Sequence, residues 1–154
     1  MNRIEKVREV VDSIFLGMTD DEERRCAYIH LYGVAQTGAL IAIKRKENVE
    51  LPIIAAMLHD IYTYKNMNPI DHAHKGAVMA KEILEELKIF SCEEIDLICK
   101  AIYNHSDKED IHGTLDEILK DADVMQHIFY NPLFEIKAHE LERFNNLKNE
   151  FGMI

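Results

Sequence analysis

Apolar residues recur every three or four positions along most of the chain, which is the spacing of one face of an α-helix. In residues 3–17 this face consists of Ile4, Val7, Val10, Val11, Ile14 and Phe15. Comparable patterns predict further helices over residues 20–46, 48–60, 72–88, 91–103, 114–130 and 133–150. We therefore expect an all-α protein that folds as a single-domain bundle of six or seven helices.

Polar residues mark the predicted ends of these helices. The expected caps are Thr19, Asn48 and Asp71, together with two capping boxes, Ser91 with Glu94 and Thr114 with Glu117. Residues 62–70 are expected to form a loop that could serve as a lid or as a wall of a substrate site. A second polar loop is predicted to open at residues 104–108.

Composition agrees with one helical domain and limits its partners. The chain has 154 residues, 47% of them hydrophobic, with only 6 Gly and 3 Pro. Its formal net charge of −10 argues against a broad surface for nucleic acids or anionic membranes, because such surfaces need Lys and Arg. A small phosphorylated substrate remains compatible, since a few local cations or a metal ion can hold one phosphate.

The cysteines and the first residues bear on the compartment. Cys26, Cys92 and Cys99 form no paired zinc-binding motif, and an odd number without close pairing fits a reducing compartment. The first residues, MNRIEKVR, lack the apolar segment of a signal peptide. No run approaches the roughly 18 consecutive apolar residues of a membrane-spanning helix. We expect a cytoplasmic protein without a membrane partner.

Three polar sites interrupt the apolar patterns: His30, the pair His59-Asp60, and the acidic segment 121–123. The pair directly follows an apolar run over residues 53–58. Such side chains cost free energy when buried unless something satisfies them, and a bound cation would do so. In a bundle, all three sites could face inward and build a metal site. The alternative is that the third helix simply ends at this pair, which then faces water.

The order of a His, a His-Asp pair and a distant Asp resembles the HD superfamily of metal-dependent phosphohydrolases. Two intermediate stretches, HAHKGA at residues 72–77 and AIYNHS at residues 101–106, resemble that superfamily as well. The resemblance covers about residues 25–130 within a single domain spanning 1–154. The terminal helices, residues 3–17 and 133–150, are expected to pack on this motif-bearing core.

The resemblance implies a divalent metal site with the ligands His30, His59, Asp60 and one Asp of the segment 121–123. Asp123 is preferred because the family pattern of Ala-Asp, any residue and an apolar residue matches Ala122-Asp123 and Met125. Asp121 lies two residues earlier and therefore points about 200° around the helix axis. We expect Asp121 to face elsewhere or to orient a neighbouring group, and it remains a candidate for the substrate or a second metal.

His72 and His105 match family positions that bind a second metal or the substrate phosphate. One ion is favoured over two, because no additional bridging carboxylate can be assigned. Lys75 and Lys108 are candidates for neutralising a phosphate, although an exposed Lys in an acidic protein is usually solvated. The remaining histidines are assigned to structural or surface positions: His74, His112, His127 and His139.

The implied activity is hydrolysis of a phosphate ester or anhydride in a small, nucleotide-like substrate. A divalent ion, with Mn, Fe, Mg, Ni and Zn all open, lowers the pKa of its water, which attacks the phosphorus. Asp60 would bind the ion and hydrogen-bond this water. His105 would donate to a phosphate oxygen or protonate the leaving oxygen.

Two other functions compete with hydrolysis. A non-catalytic sensor module would keep the site for binding metal and a phosphorylated ligand without turnover. A di-iron oxygenase would need two redox-active metals in a related helical fold. The oligomeric state is also open, since the terminal helices could bury their apolar faces within the chain or across a homodimer.

Overall fold

Eight helices form the protein in a computed structural model that describes residues 1–153. They are α1 (Arg3–Leu16), α2 (Asp21–Arg45), α3 (Glu50–Leu58), α4 (Ile61–Asn66), α5 (His72–Leu87), α6 (Cys92–Asn104), α7 (Thr114–Tyr130) and α8 (Ala138–Phe151). No strand occurs in this part of the chain. The expected all-α bundle is confirmed, with seven long helices and α4, which has only 6 residues.

The helix α3 is the most enclosed element of the bundle. It packs against α1, α2, α6 and α7, and residues 54–58 have no exposed surface. A helix that is covered on all sides needs no polar face, which explains the uninterrupted apolar run in this segment. His59 therefore ends α3 inside the protein and is itself fully buried.

The two terminal helices pack on the helices that carry the motifs. α1 contacts α2, α3, α4 and α5, and it buries Val7, Val11 and Phe15. α8 contacts α7 and buries Glu140 and Leu147. These buried side chains lie within the chain, which is one of the two arrangements that the sequence left open.

Two of the predicted helix caps are present. The hydroxyl of Ser91 accepts a hydrogen bond from the Glu94 amide, and the Glu94 carboxylate accepts one from the Ser91 amide, which completes a capping box. Asn48 accepts a hydrogen bond from the Glu50 amide at the start of α3. Both caps satisfy N–H groups that a helix leaves free in its first turn.

Three other predicted caps are wrong. Asp20, rather than Thr19, caps α2, because a carboxylate one position later reaches the amides of Glu22 and Glu23. Thr114 is already the first residue of α7, so it forms no capping box. Asp71 precedes α5 in the left-handed region, with φ of 56°, and its carboxylate contacts His74 instead of a helix amide.

Two predicted boundaries also differ from the structure. The expected loop over residues 62–70 begins with the short helix α4, which ends at Asn66. The last helix begins at Ala138, not at residue 133. Residues 131–137 instead form a turn and extended segment around Pro132, which fixes its own φ and lacks an N–H.

By length and composition alone, α2 could cross a membrane. It is one helix near the N-terminus, and the core helix of a soluble protein passes the same test, so the evidence is weak. The packing of α2 against α3 and α7 accounts for its apolar residues within the bundle.

Candidate metal centre

The site is built where the chain breaks between α3 and α4. Asp60, with φ of −110° and ψ of 12°, is the only residue between His59, which caps α3, and the start of α4. α5 approaches this break closely, because a Cβ at Gly76 would lie 2.7 Å from the His59 carbonyl oxygen. Only glycine fits there without a shift of the backbone, so Gly76 allows α5 to bring His72 to the break.

One group of polar atoms lies between α2, α7 and the break. His30 Nε2 lies 3.2 Å from His59 Nε2 and 3.4 Å from Asp60 Oδ2. Asp123 Oδ1 lies 3.6 Å from His30 Nε2 and 3.9 Å from His59 Nε2. The structure thus brings together the four residues for which the sequence implied metal binding.

A second group lies on the other side of Asp60. His72 Nε2 and His105 Nε2 are 3.2 Å apart, and they lie 3.5 Å and 3.4 Å from Asp60 Oδ1. Asp60 therefore turns one carboxylate oxygen toward each pair of histidines. The residue that the sequence assigned to one ion has the geometry of a bridging ligand.

Hydrogen bonds to backbone carbonyls fix the tautomers of three of these histidines. The Nδ1 atoms of His59, His105 and His72 lie 2.7, 2.6 and 3.1 Å from the carbonyl oxygens of Ala56, Ile102 and Pro69. A carbonyl oxygen only accepts, so each Nδ1 carries a proton, and the neutral form of each ring has its lone pair at Nε2. In His30, Nδ1 faces Gln126 Oε1 at 2.8 Å, which gives the same tautomer.

The site collects electron-rich atoms that the protein itself leaves unsatisfied. Asp60 Oδ1 and Asp123 Oδ1 are buried and have no hydrogen-bond partner among the described residues. When both rings of a pair are neutral, their facing Nε2 lone pairs cannot hydrogen-bond to each other either. Ligands about 2.1 Å from one ion are about 3.0–3.4 Å apart at octahedral or tetrahedral angles. The observed separations are close to this range, so divalent cations fit the donor set.

Burial and mutual contacts set the protonation of the cluster. Burial lowers the pKa of His59 to about 3, so this ring is a neutral ligand at ordinary pH. Burial alone would raise the pKa of Asp60, but protonated forms of the imidazoles around it, His59 and His105 first, outweigh burial and hold this pKa well below its usual range. Asp60 is therefore ionised, as a metal ligand must be.

The predicted phosphate-binding lysines are engaged with the protein. Lys108 is buried, and its Nζ lies 2.5 Å from Asp123 Oδ2. Burial tends to raise the pKa of Asp123, but the Lys108 ammonium and the nearby histidines lower it below its usual range. Lys75 Nζ donates to the carbonyl of Ile70 and lies over the ring of Tyr62.

Asp121 lies away from the cluster, as the helical geometry of α7 led us to expect. Its carboxylate accepts hydrogen bonds from Arg45 Nη2 at 2.6 Å and Arg143 Nη1 at 2.8 Å. Both of its oxygens are thus engaged in ion pairs, so this residue is not placed to bind a metal or a substrate at the site.

His127 is a residue of this site that the sequence reasoning missed. Its Nε2 lies 3.4 Å from Asp123 Oδ1, and its ring stacks on His30 with centroids 5.3 Å apart and an interplanar angle of 11°. The sequence analysis assigns it to a structural or surface position. The signal that could have found it is its spacing of four residues from Asp123, which places both on one face of α7.

Comparisons with known proteins agree with this geometry. The model of the HD domain family matches residues 27–127. The fold is similar to the crystal structure of a predicted HD superfamily hydrolase from an uncultured Thermotogales bacterium, with 22% identity and a TM-score of 0.64 over 96% of this chain and 88% of that chain. No curated protein matches the chain. The chain belongs to the HD domain family. This family is part of a superfamily of metal-dependent phosphohydrolases.

Proposed function

We propose that this protein is a divalent-metal-dependent phosphohydrolase that cleaves a phosphate ester or anhydride in a small, nucleotide-like substrate. The observation that carries this proposal is the Asp60 carboxylate, which is ionised, lies between two pairs of imidazole nitrogens and has an unpartnered oxygen. Divalent cations would satisfy this arrangement, and the family to which the chain belongs uses such cations to hydrolyse phosphate bonds.

Two ions are proposed, with Asp60 shared between them. The ligands of the first would be His30, His59, Asp60 and Asp123, and those of the second Asp60, His72 and His105. The sequence favoured one ion because no extra bridging carboxylate could be assigned, but the two oxygens of Asp60 remove that requirement. Bound ions of this kind lower the pKa of a water ligand and stabilise negative charge on a phosphoryl group.

His105 is proposed as a ligand rather than as a proton donor to the substrate. Its Nδ1 donates to the Ile102 carbonyl, and its Nε2 faces Asp60 Oδ1. A general acid needs a proton-bearing nitrogen that reaches the leaving oxygen. Neither nitrogen of this buried ring is directed in that way, so the proton-donor role expected from the sequence is not part of the proposal.

The substrate class is proposed from the groups around the cluster. Lys108 is committed to Asp123, so negative charge on the substrate would be met mainly by the ions. That favours one compact phosphate group over a long polyanion. The ring of Tyr64 lies beside the site, with its centroid 6.4 Å from that of His30, and offers an aromatic surface to a nucleobase.

The test combines metal content with turnover on one sample. We would measure phosphate release from a panel of nucleotides and sugar phosphates with Mn²⁺, Mg²⁺, Fe²⁺, Ni²⁺ and Zn²⁺ in turn. The variants are His59→Ala and Asp60→Asn, and the matched control is Asp96→Asn, which neutralises an exposed Asp in the first half of α6. Activity should depend on metal, disappear in both site variants and survive in the control.

Three results would contradict the proposal in different ways. A wild-type protein that binds no divalent metal would remove the ligand assignment altogether. A protein that binds metal and a phosphorylated ligand without turnover, for every compound of the panel, would instead establish the sensor module. Two bound irons without phosphatase activity would point to oxygenase chemistry.

A further inference from the structure

The ring of His127 forms a hydrogen bond with a carboxylate that lies outside residues 27–127, the segment that matches the HD domain family. Its Nδ1 lies 3.0 Å from Oε1 of Glu140, the third residue of α8. Only 3% of the Glu140 side chain is exposed. Burial would raise the pKa of Glu140, but the hydrogen bond from His127 lowers it below its usual value, so the carboxylate is ionised and only accepts.

This contact decides which nitrogen of His127 faces the metal centre. Because Glu140 accepts the hydrogen bond from Nδ1, the ring directs Nε2 at Asp123 Oδ1, which lies 3.4 Å away, and the neutral form of the ring has its lone pair there. That oxygen has no hydrogen-bond partner among the described residues. Two electron-rich atoms therefore face each other at the distance that separates two ligands of one ion.

His30 completes the arrangement. The donor atoms of His30, Asp123 and His127 lie within 4.8 Å of one another, as do those of the other two groups at this site. The stacked rings of His30 and His127 are nearly parallel, so both can direct Nε2 toward the same side of Asp123.

We propose that His127 is a further ligand of the ion held by His30 and Asp123, with Glu140 of α8 fixing its orientation and tautomer. A carboxylate that accepts the proton of a ligating imidazole also raises the basicity of that imidazole and strengthens its bond to the metal. The last helix then contributes directly to metal affinity, although it lies outside residues 27–127. The inference rests on the metal centre of the proposed function.

The experiment uses the full chain and Zn²⁺ alone, which is diamagnetic and requires no substrate. Zn²⁺ affinity is measured by competition calorimetry for wild type, His127→Ala and Glu140→Gln. The matched control is His139→Ala, because His139 is half exposed and also approaches Glu140, with its Nε2 3.8 Å from Oε1. We expect affinity to fall about 10–100-fold in the His127 and Glu140 variants, and by less than about twofold in the control.

A second measurement follows the unmodified protein, so it does not depend on whether a variant folds. With ¹⁵N-labelled histidine, long-range proton–nitrogen spectra report the protonation of each ring nitrogen. The signal of His127 Nε2 should change from a free lone pair to a coordinated nitrogen when Zn²⁺ is added, while Nδ1 keeps its proton. A merely structural ring would not respond in this way.

The outcomes separate this inference from the proposed function. If wild type binds Zn²⁺ and the His127 and Glu140 variants bind it as tightly as His139→Ala, His127 is not a ligand and only this inference fails. A His127 ring that is protonated on both nitrogens with Zn²⁺ bound would also overturn it, because the ring would then be the cation of an ion pair. If wild type binds no divalent metal, both proposals fail.

Discussion

The two faces of α7 bury carboxylates in opposite surroundings. Asp121 and Asp123 lie two residues apart, and each has only 5% of its surface exposed. Asp121 faces two arginines, Arg45 and Arg143, which satisfy both of its oxygens. Asp123 has Lys108 on one oxygen and nothing but histidines around the other.

The two faces show two uses of a buried carboxylate: Asp121 stabilises the fold through ion pairs, whereas Asp123 is left able to bind a ligand. Buried charges are tolerated when hydrogen-bonded partners replace the water that they lose. Around Asp121 the replacement covers both carboxylate oxygens, and the partners form further ion pairs, Arg143 with Glu117 and Arg45 with Glu150. At the metal centre it is incomplete, so the protein pays a cost in its metal-free form that a cation would remove.

The largest expected effect comes from neutralising one carboxylate in each environment, Asp121 between its arginines and Asp60 at the metal centre. In the presence of a chelator, Asp121→Asn should lower the free energy of unfolding by about 3 kcal/mol, because it leaves two partly buried arginines short of a partner. Asp60→Asn should lower it by no more than about 1 kcal/mol, since an amide NH₂ can donate to the free Nε2 atoms of His72 and His105 and so compensate for the lost charge. Urea unfolding of the two variants and the wild type would measure both changes.

An equal loss in the two variants would contradict this comparison. It would mean that the Asp60 carboxylate is satisfied within the protein, and the main support for bound cations would be lost. Adding metal sharpens the test, because a ligand that binds only the folded state at about 100 times its Kd should stabilise the wild type by about 2.7 kcal/mol. Asp60→Asn should lose that gain, and Asp121→Asn should keep it.

A smaller effect is expected where α5 approaches the end of α3. Gly76→Ala should lower the free energy of unfolding by about 2 kcal/mol, because its Cβ would lie 2.7 Å from the backbone oxygen of His59, which cannot rotate away. The shift should also weaken metal binding, since it separates α5 from the break at Asp60. Thermal unfolding and metal titration would measure the two consequences.

The matched control for Gly76 is Gly38→Ala in α2. A Cβ at Gly38 would have its nearest neighbours at 3.7 Å or more, which is ordinary contact. Alanine should therefore be neutral or slightly stabilising there, because it favours the helix over the unfolded chain. A tolerated Gly76→Ala with full metal affinity would show that α5 does not depend on this close approach.

The smallest effect concerns a charge cluster that is paired but only half-buried. Arg3 donates to Glu50 and to Glu94, and these hydrogen bonds lower the pKa of both carboxyl groups. A lowered folded-state pKa stabilises the protein above the unfolded pKa, and this contribution is lost as the pH falls through the folded value. Arg3→Met should thus cost about 1 kcal/mol at pH 7 and progressively less below about pH 4.

Unfolding midpoints across that pH range would check the prediction for Arg3. The control is Lys6→Met, which removes an exposed pair with Glu9 on the same helix. It should leave the midpoint unchanged at every pH, because water and salt screen such pairs. A difference for Arg3→Met that is independent of pH would assign its effect to packing on Phe90 rather than to the two carboxylates.

Much of the fold could be predicted because its helices are long and regular. The helical spacing identified every helix of nine or more residues, and the ordered His and Asp landmarks identified the elements that meet at Asp60. The helix α4 was missed because residues 61–66 carry no apolar period long enough to distinguish a helix from a loop. The late start of α8 was missed for a related reason, since Leu133 and Phe134 look like parts of an apolar face but lie exposed.

The rest of the site depends on three-dimensional relations that spacing does not encode. Asp60 lies between two histidine pairs because its two carboxylate oxygens point in different directions. The sequence does not show the orientation of a side chain. His127 could be placed on the face of Asp123, but its partner Glu140 lies across a turn on another helix. The ion-pair partners of Asp121 and Lys108 could not be predicted either, because they depend on where Arg143 and Asp123 lie in the fold.

The hydrogen bonds from the histidine Nδ1 atoms to backbone carbonyls affect how quickly and how selectively the centre can bind an ion. Each anchored ring is already held in its tautomer and orientation, so an arriving ion does not have to freeze several rotors. If the centre binds an ion, we therefore expect the loss of water from that ion, rather than rearrangement of the protein, to be the slow step of binding. Mg²⁺ gives up its hydration shell reluctantly and prefers oxygen donors. We therefore expect these fixed imidazole nitrogens to bind a softer first-row ion before they bind Mg²⁺.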